Sequence, residues 1–245
     1  MRNRKKQNYR LRLTLAILIL LSVGSAMTVH FLSKRNYYKT QLMKLPAGFS
    51  SHGIDVSHYQ GNIDWSELIE TMDSSISFAY IKATEGTRYI DPLYKQNYNR
   101  CRSMKLPIGI YHFFSPMQNA LKQADHFLNN YAVESNDLPP VLDAETEGRN
   151  NAELIKKMKV WLTQVEKKTK KRPIIYTSYH FYSTKFKGKF DEYQFWIANY
   201  GNHANRMKDD QIVIWQYSDE GRLPGINGNV DLNVSKNSFL NPNSL

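Results

Sequence analysis

Residues 107–143 read PIGIYHFFSPMQNALKQADHFLNNYAVESNDLPPVLD, and this stretch indicates the fold class. It begins with a β-branched and aromatic run at 107–113 and ends with an apolar run at 139–143. Between the two, residues 117–132 follow a helical pattern. A strand, a helix and a second strand in this order predict two parallel strands joined by a crossover helix, because hairpin-linked strands need no helix between them.

The same alternation extends along most of the chain. Six further apolar or β-branched runs bring the number of predicted strands to eight, and they lie at 52–57, 76–82, 173–178, 194–199, 212–217 and 230–234. Further helices are predicted at 64–72, 91–104 and 151–169. Beyond the fifth strand the connections are short or irregular. The pattern predicts an α/β fold, a modified (β/α)8 barrel of the TIM type whose last helices are reduced or missing.

The N-terminal residues differ from the rest in charge and hydropathy. Residues 1–44 hold ten of the 33 Lys and Arg residues and no acid, so residues 45–245 carry 23 basic against 22 acidic side chains. A nearly neutral body gives no general attraction for a polyanion, and no nucleic-acid partner is predicted. Residues 13–32 form an apolar run that would span roughly 30 Å as a helix, which is the hydrocarbon thickness of a bilayer.

Two interpretations of this apolar run are open. The basic residues before it hold the N-terminus in the cytoplasm and direct the following chain across the membrane. The run is either a lasting signal anchor, which its length favours, or a signal peptide cleaved after Ala26. We therefore expect a signal anchor or signal peptide at 1–32, a tether at 33–50 and the barrel domain at 51–245. That domain would face the periplasm or cell wall, or be secreted after cleavage.

Carboxylates collect where the predicted strands end, which is where a parallel barrel carries its chemistry. Asp55 lies near the end of the first strand and Asp231 lies in the eighth. Asp143 and Glu145 end the fourth strand, and their spacing of two places them on one face of it. Two such neighbours in a partly dry pocket cannot both ionise easily, which leaves a proton donor beside an anion. Glycoside cleavage requires that pair.

Aromatic and amide side chains on the same strands predict a sugar ligand, since sugars stack on rings and bond to amides through their hydroxyls. The predicted substrate-binding residues are Tyr111, Phe113, Tyr176, Trp196, Asn199 and Gln216. Trp215 is assigned to packing. The seven histidines form no H-x-H or H-E-x-x-H pair, and neither G-x-S-x-G nor a Gly-rich phosphate loop occurs, so no metal and no cofactor are predicted.

Seven ordered motifs resemble glycoside hydrolase family 25, the N-acetylmuramidase-type lysozymes. They are GIDVSHYQG at 53–61 followed by IDW at 63–65, IKATEG at 81–86, GIYHF at 109–113, LDAE at 142–145, FWIA at 195–198, WQYS at 215–218 and VDLN at 230–233. The resemblance covers residues 52–238. It implies a modified barrel whose last three strands lack regular helices.

The resemblance also implies an activity, hydrolysis of the β-1,4 bond between N-acetylmuramic acid and N-acetylglucosamine in peptidoglycan. It implies Glu145 as general acid, Asp143 as its partner, and Asp55 and Asp231 as residues that shape and polarise the site. We expect Asp143 to orient the 2-acetamido group of the substrate as an internal nucleophile. The alternative is inversion, with Asp55 or Asp231 activating water.

The sequence leaves two alternative functions open. A non-catalytic glycan-binding barrel and a chitinase-like glycosidase acting on other N-acetylated glycans are the alternative functions. The expected partners are peptidoglycan strands and, through the N-terminal segment, a membrane. We expect the protein to be a monomer.

Overall fold

The computed structural model describes residues 2–73, 75–131, 134–201, 203–237 and 239–240, and it describes side chains from residue 12 onward. The chain forms two compact units, Met1–Thr40 and Gln41–Leu245. The first contains one helix, α1 (Arg2–Lys39). Its stretch Arg12–Lys39 is long and apolar enough to cross a membrane: the most apolar 18 residues within it have a mean hydropathy of 2.2, and none of these is buried. The predicted N-terminal apolar helix is confirmed.

Among the described residues, the second unit contains nine strands. They are β1 (Phe49–Val56), β2 (Ile76–Glu85), β3 (Tyr89–Ile90), β4 (Ile108–Phe113), β5 (Val141–Asp143), β6 (Ile174–Ser178), β7 (Gln194–Ala198), β8 (Ile212–Gly221) and β9 (Val230–Lys236). Their order is β1-β9-β8-β7-β6-β5-β4-β2-β3, and β1 also pairs with β2. This pairing closes a barrel of eight strands, while the short β3 forms a hairpin on β2. The predicted α/β barrel is confirmed.

In the part of the chain that the structure describes, four helices connect the early strands: α2 (Trp65–Met72), α3 (Tyr94–Ser103), α4 (Ala120–Asn130) and α5 (Asn151–Thr169). Each of α2, α4 and α5 begins after a side-chain cap, in which the carboxylate or amide oxygen accepts from a backbone N–H three residues on; the caps are Asp64, Asn119 and Asn150. Such caps satisfy N–H groups that the helix itself leaves unpaired. Residue 132, the last of the predicted helix at 117–132, lies outside the described residues.

After β6 the described residues of the connections form only short helical turns. These are α6 (Tyr179–Phe181), a π-helical turn at Tyr182–Phe186 and a 3-10 turn at Ala204–Met207. The predicted reduction of the last helices therefore holds for the described residues. The proposed tether at 33–50 includes the end of α1 and the start of β1, and residues 241–245 of the proposed barrel domain lie outside the described residues. The domain boundaries themselves stay a prediction.

The last barrel strand, β9, runs antiparallel to both of its neighbours, β1 and β8. The sequence pattern predicted parallel strands, and for β9 that expectation is wrong. The connection at 222–229 is too short for the crossover of a dozen or more residues that a parallel pair requires. Because β9 is reversed, its amino end lies at the barrel mouth, where the other strands have their carboxyl ends.

Aromatic rings fill the barrel interior, and two glycines in the wall make room for them. A Cβ atom at Gly53 would lie 2.3 Å from the ring of Phe78, and one at Gly109 would lie 2.2 Å from the ring of Tyr80. The Tyr80 ring in turn packs against Trp196 at a centroid distance of 5.0 Å. Close packing of this kind leaves the side chains above it little freedom to shift. The interior therefore forms a firm floor beneath the barrel mouth.

Candidate active site

A cleft of about 350 Å³ opens at the barrel mouth. Its lining combines four carboxylates with three aromatic rings and one aliphatic side chain: Asp55, Asp143, Glu145, Asp231, Tyr111, Tyr176, Trp196 and Val141. The structure thus brings together all four acids that the sequence singled out. It also places Tyr111, Tyr176 and Trp196 beside them.

The first pair of acids, Asp143 and Glu145, stands at the end of β5. The intervening Ala144 donates its backbone N–H to the carbonyl of Tyr176 at 2.9 Å, which continues the strand pairing past the end of β5. The extended backbone directs both carboxyl groups into the cleft, where Glu145 is close enough to act on the ionisation of Asp143. Asp143 is buried, whereas Glu145 is exposed.

Burial, and next the negative charge of Glu145, raises the pKa of Asp143 well above that of an ordinary carboxyl group. The positive charge of Lys82 opposes this shift. The pair consequently retains a proton near neutral pH, because two adjacent carboxylates in a dry site repel each other. A shared proton beside an exposed carboxyl group is a suitable starting point for general acid catalysis.

The second pair of acids, Asp55 and Asp231, lies on adjacent strands with a hydrogen bond between the two carboxyl groups. Asp55 Oδ1 also accepts from Asn233 Nδ2 at 2.7 Å and from Gln216 Nε2 at 3.0 Å. Burial and the charge of Asp55 raise the pKa of Asp231 to about 9. Burial also raises the pKa of Asp55, but the two amide donors oppose that shift. Asp55 is therefore the anion of the pair, and Asp231 holds the proton.

Gln216 fixes the position of Asp55 from behind the cleft. Its Oε1 accepts from the hydroxyl groups of Tyr176 at 2.9 Å and Tyr200 at 3.0 Å, while Nε2 donates to Asp55. The side chain is 1% exposed and does not line the cleft. The amide is engaged by protein groups on both sides, because its strand directs it into the barrel, and substrate binding by Gln216 stays a prediction.

Trp196 and Asn233 form a second support beneath the acids. The indole Nε1 of Trp196 donates to Asn233 Oδ1 at 2.8 Å, and Asn233 in turn donates to Asp55. The Trp196 ring meets the Tyr176 ring edge-on at 4.8 Å. A chain of hydrogen bonds thus runs from the Trp196 indole through Asn233 to the carboxylate of Asp55.

The sequence profile of glycosyl hydrolases family 25 matches residues 54–226. The chain belongs to family 25 of the glycosyl hydrolases. This family 25 enzyme is therefore a glycoside hydrolase, and the matched range includes Asp55, Asp143 and Glu145. Asp231 lies beyond the matched range.

Two sequence relatives of this family 25 enzyme illustrate the similarity. It is 42% identical over 211 residues to the uncharacterized protein YegX of Escherichia coli (strain K12), covering 84% of this chain and 76% of YegX. It is 35% identical over 201 residues to Lysozyme M1 of Streptomyces globisporus, covering 74% of this chain and 66% of that lysozyme.

Two solved structures resemble the family 25 enzyme throughout the barrel. The bacterial lysozyme from Streptomyces coelicolor superposes with a TM-score of 0.69 at 30% identity, covering 80% of this chain and 99% of that chain. A family 25 glycosyl hydrolase from Bacillus anthracis superposes with a TM-score of 0.68 at 27% identity, covering 78% of this chain and 91% of that chain.

The remaining predicted residues of the family 25 enzyme lie away from the cleft. Phe113 is half-buried and lies under the ammonium group of Lys82, 4.9 Å from its ring centroid, rather than on the cleft lining. Asn199 lines an adjoining groove. Trp215 is buried, and its indole donates to the carbonyl of Asn199 at 2.8 Å, consistent with a packing role.

Sequence reasoning did not assign Asn233 or Lys82 to the site. Asn233 could have been found, because it stands two residues after Asp231 and so shares its strand face. The proximity of Lys82 to Asp143 depends on strands that are far apart in sequence. Among the described residues, no group of three or more His, Cys, Asp or Glu side chains is arranged to hold a metal ion. The expectation of a metal-free site stays a prediction.

Proposed function

We propose that this family 25 hydrolase is a muramidase that cleaves the β-1,4 bond between N-acetylmuramic acid and N-acetylglucosamine in peptidoglycan. The observation that carries the proposal is the pair of neighbouring carboxyl groups of Asp143 and Glu145, which line one cleft together with aromatic rings. The names of the two lysozymes described above agree with this activity. An acid beside an anion is what cleavage of a glycosidic bond requires.

Glu145 is the proposed general acid because its carboxyl group is the more exposed of the pair. In the free enzyme the shared proton rests on the buried Asp143, which has the raised pKa. A bound sugar removes water from Glu145, and desolvation favours the neutral form of a carboxyl group. The proton then passes from Asp143 to the neighbouring Glu145, which donates it to the leaving glycosidic oxygen.

Asp143 becomes an anion as the proton leaves it, and it accepts a hydrogen bond from the N–H of the 2-acetamido group. This contact increases the nucleophilicity of the acetamido oxygen, which bonds to C1 as the bond to the leaving oxygen breaks. Glu145, now ionised, takes a proton from the water that opens the cyclic intermediate. Substrate assistance of this kind is a known alternative to a protein nucleophile. The charge of Lys82 stabilises the Asp143 anion.

Asp55 and Asp231 are proposed to stabilise the positive charge that develops at C1. Asp55 contributes the negative charge, and its carboxylate is held in place by hydrogen bonds from Gln216 and Asn233. Asp231 carries the proton of the Asp55–Asp231 pair. Because these groups are already oriented before the substrate binds, little reorganisation is needed at the transition state.

We propose further that α1 keeps the enzyme at the outer face of the cytoplasmic membrane, with cleavage after Ala26 as the alternative. The apolar, unburied residues within Arg12–Lys39 and the basic residues before them support this placement. Cell fractionation combined with intact mass measurement separates the two outcomes. Recovery of a chain that begins after Ala26 in the soluble fraction would replace the anchor with a signal peptide.

Mass spectrometry of the sugars released from purified sacculi tests the activity. The full chain in detergent is expected to release fragments with N-acetylmuramic acid at the new reducing end, and Glu145→Gln is expected to release none. A new N-acetylglucosamine reducing end would show a glucosaminidase instead. Preferential cleavage of chitin oligomers would favour the chitinase-like alternative, and retention of sacculi without cleavage would favour a binding barrel.

A further inference from the structure

A second groove of about 1100 Å³ continues from the catalytic cleft. Glu145 and Tyr176 line both, so the two spaces are connected. The groove follows the carboxyl ends of β6 and β7 and the helical turns after them. We refer to it as the Arg206 groove, and the lining residues used below are Tyr179, Asn199, Tyr200 and Arg206.

Arg206 brings a positive charge to the lining of the groove. Its guanidinium group lies 5.1 Å from the ring centroid of Tyr179 and donates one long hydrogen bond, 3.4 Å, to Asn199 Oδ1. None of the ion pairs between described residues involves Arg206. Since a guanidinium group has five N–H donors, most of them are available to a ligand.

Protein contacts hold the walls of the groove in place. Tyr200 is 46% exposed, yet its hydroxyl group is fixed by a hydrogen bond to Gln216. Asn199 Nδ2 is buried and has no hydrogen-bond partner among the described residues. The groove therefore combines a fixed aromatic side chain, an available guanidinium group and an amide with unused donor capacity.

We propose that the Arg206 groove binds the peptide arm of peptidoglycan, with the Arg206 guanidinium group pairing with a carboxylate of that peptide. This inference rests on the proposed function and deepens it. The backbone sugars of peptidoglycan are uncharged, because the lactyl carboxyl group of muramic acid is amide-linked to the peptide. The free carboxylates are therefore on the peptide, which branches from a sugar next to the cleaved bond.

The position of the groove fits that branch point. Glu145 must lie beside the cleaved bond to protonate it, and the groove starts at Glu145. A planar guanidinium group matches a carboxylate through two parallel hydrogen bonds, whereas an uncharged sugar needs no cation. A groove that bound only sugar would therefore not require the positive charge of Arg206.

The test compares two soluble tetrasaccharides, each made of two disaccharide-peptide units joined by the β-1,4 bond from N-acetylmuramic acid to N-acetylglucosamine. One has free peptide carboxylates, and in the other those carboxylates have been chemically converted to amides. The full-length wild type and Arg206→Gln are compared on both, with Arg100→Gln as the control because Arg100 is an exposed arginine on the outer helix α3. Thermal unfolding verifies that each variant is folded. The affinity for each substrate is measured in parallel by calorimetry, so that the contact is tested even without turnover.

We expect Arg206→Gln to raise KM and Kd about tenfold for the carboxylate substrate and to leave both unchanged for the amidated one, with little change in kcat. Arg100→Gln is expected to match the wild type. An equal loss on both substrates, or no loss on either, would overturn the peptide-arm proposal. The wild type could instead bind the carboxylate substrate through Arg206 and cleave no bond. That result would overturn the proposed function and leave the groove assignment intact.

Discussion

Asp55 and Asp231 are directly opposite each other on β1 and β9, and their carboxyl groups are hydrogen-bonded across this antiparallel strand pair. The reversed direction of β9 produces this contact. Asp231 is the second residue of its strand, and in a parallel strand that position would lie at the far end of the barrel from the mouth. An acid near the end of the chain thus reaches the same cleft as one near the start of the barrel.

Replacing Asp231 with Asn is expected to stabilise the fold and to lower activity. The pKa of Asp231 is raised to about 9, from an ordinary value of about 3.9 in the unfolded chain. Between these values the folded state binds a proton that the unfolded state lacks, so the stability contributed by this carboxyl group falls as pH rises. An Asn side chain keeps a hydrogen-bond donor toward Asp55 without this penalty.

Thermal unfolding of wild type and Asp231→Asn at pH 5 and pH 8 measures the effect. A gain on the order of 1 kcal/mol corresponds to a Tm rise of about 2–4 °C for a chain of this size, and we expect the larger rise at pH 8. Asp191→Asn, which changes an exposed acid before β7, is the control. The same rise in Tm at both pH values would contradict a raised pKa as the cause.

Replacing Glu145 with Gln is expected to reduce kcat about 10²- to 10⁴-fold, because it removes the proton donor and, afterwards, the base. The fold should be unaffected, since the side chain is exposed. Glu147→Gln is the matched control: Glu147 is an exposed glutamate two residues away that pairs with Lys185. Turnover numbers on sacculi and thermal unfolding of all three proteins check the prediction. Wild-type turnover by Glu145→Gln would remove Glu145 from the mechanism.

The barrel and its acids were predictable because both depend on local patterns. Strands alternate with helices at intervals too long for hairpins, and the two-residue spacing of Asp143 and Glu145 places them on one strand face. The direction of β9 was not visible, since an apolar run indicates burial but not strand orientation. Only the short connection before it distinguishes an antiparallel strand from a parallel one.

The hydrogen bonds of Gln216 were not predictable because its partners are distant in sequence. Its side chain meets Tyr200, Tyr176 and Asp55, which are 16, 40 and 161 positions away. A glutamine at a strand end is equally suited to a sugar hydroxyl or a neighbouring side chain, and only the pairing of the strands distinguishes the two. The Arg206 groove was missed for a similar reason, since it is built from irregular turns that follow no period.

Replacing Gln216 with Ala is expected to lower kcat about tenfold with little change in KM, because Gln216 positions Asp55 and does not line the cleft. The hydrogen bond from Gln216 opposes the rise in the pKa of Asp55, so its loss should raise that pKa further. Activity that depends on ionised Asp55 increases as pH rises through this pKa. The acid limb of the kcat/KM profile should therefore move to higher pH in the variant.

A pH–rate profile of wild type, Gln216→Ala and Gln96→Ala tests this expectation. Gln96 is an exposed glutamine on α3 whose amide meets Asn62, so its removal leaves the cleft unchanged. Loss of activity with an unmoved acid limb would indicate that Gln216 supports the fold in general and not the charge of Asp55.

The stereochemical outcome distinguishes the two mechanisms weighed for the second step. Attack by the acetamido oxygen and then by water inverts C1 twice, so the product should first appear as the β-anomer. Direct attack by water activated by Asp55 or Asp231 would give the α-anomer. Proton NMR of the new reducing end, recorded before mutarotation is complete, shows which anomer forms first.

Removing the acetyl group from the muramic acid nitrogen provides a second measurement. The assisted route needs the acetamido oxygen as nucleophile, so N-deacetylated glycan is expected to resist cleavage while still binding.

Asp143→Asn should lower kcat on N-acetylated glycan, because a neutral amide cannot stabilise the acetamido group as an anion does. A β-anomer from N-acetylated glycan and no turnover of the deacetylated form would agree with assistance by Asp143. An initial α-anomer, with the deacetylated glycan cleaved at a similar rate, would assign the second step to water activated by Asp55 or Asp231.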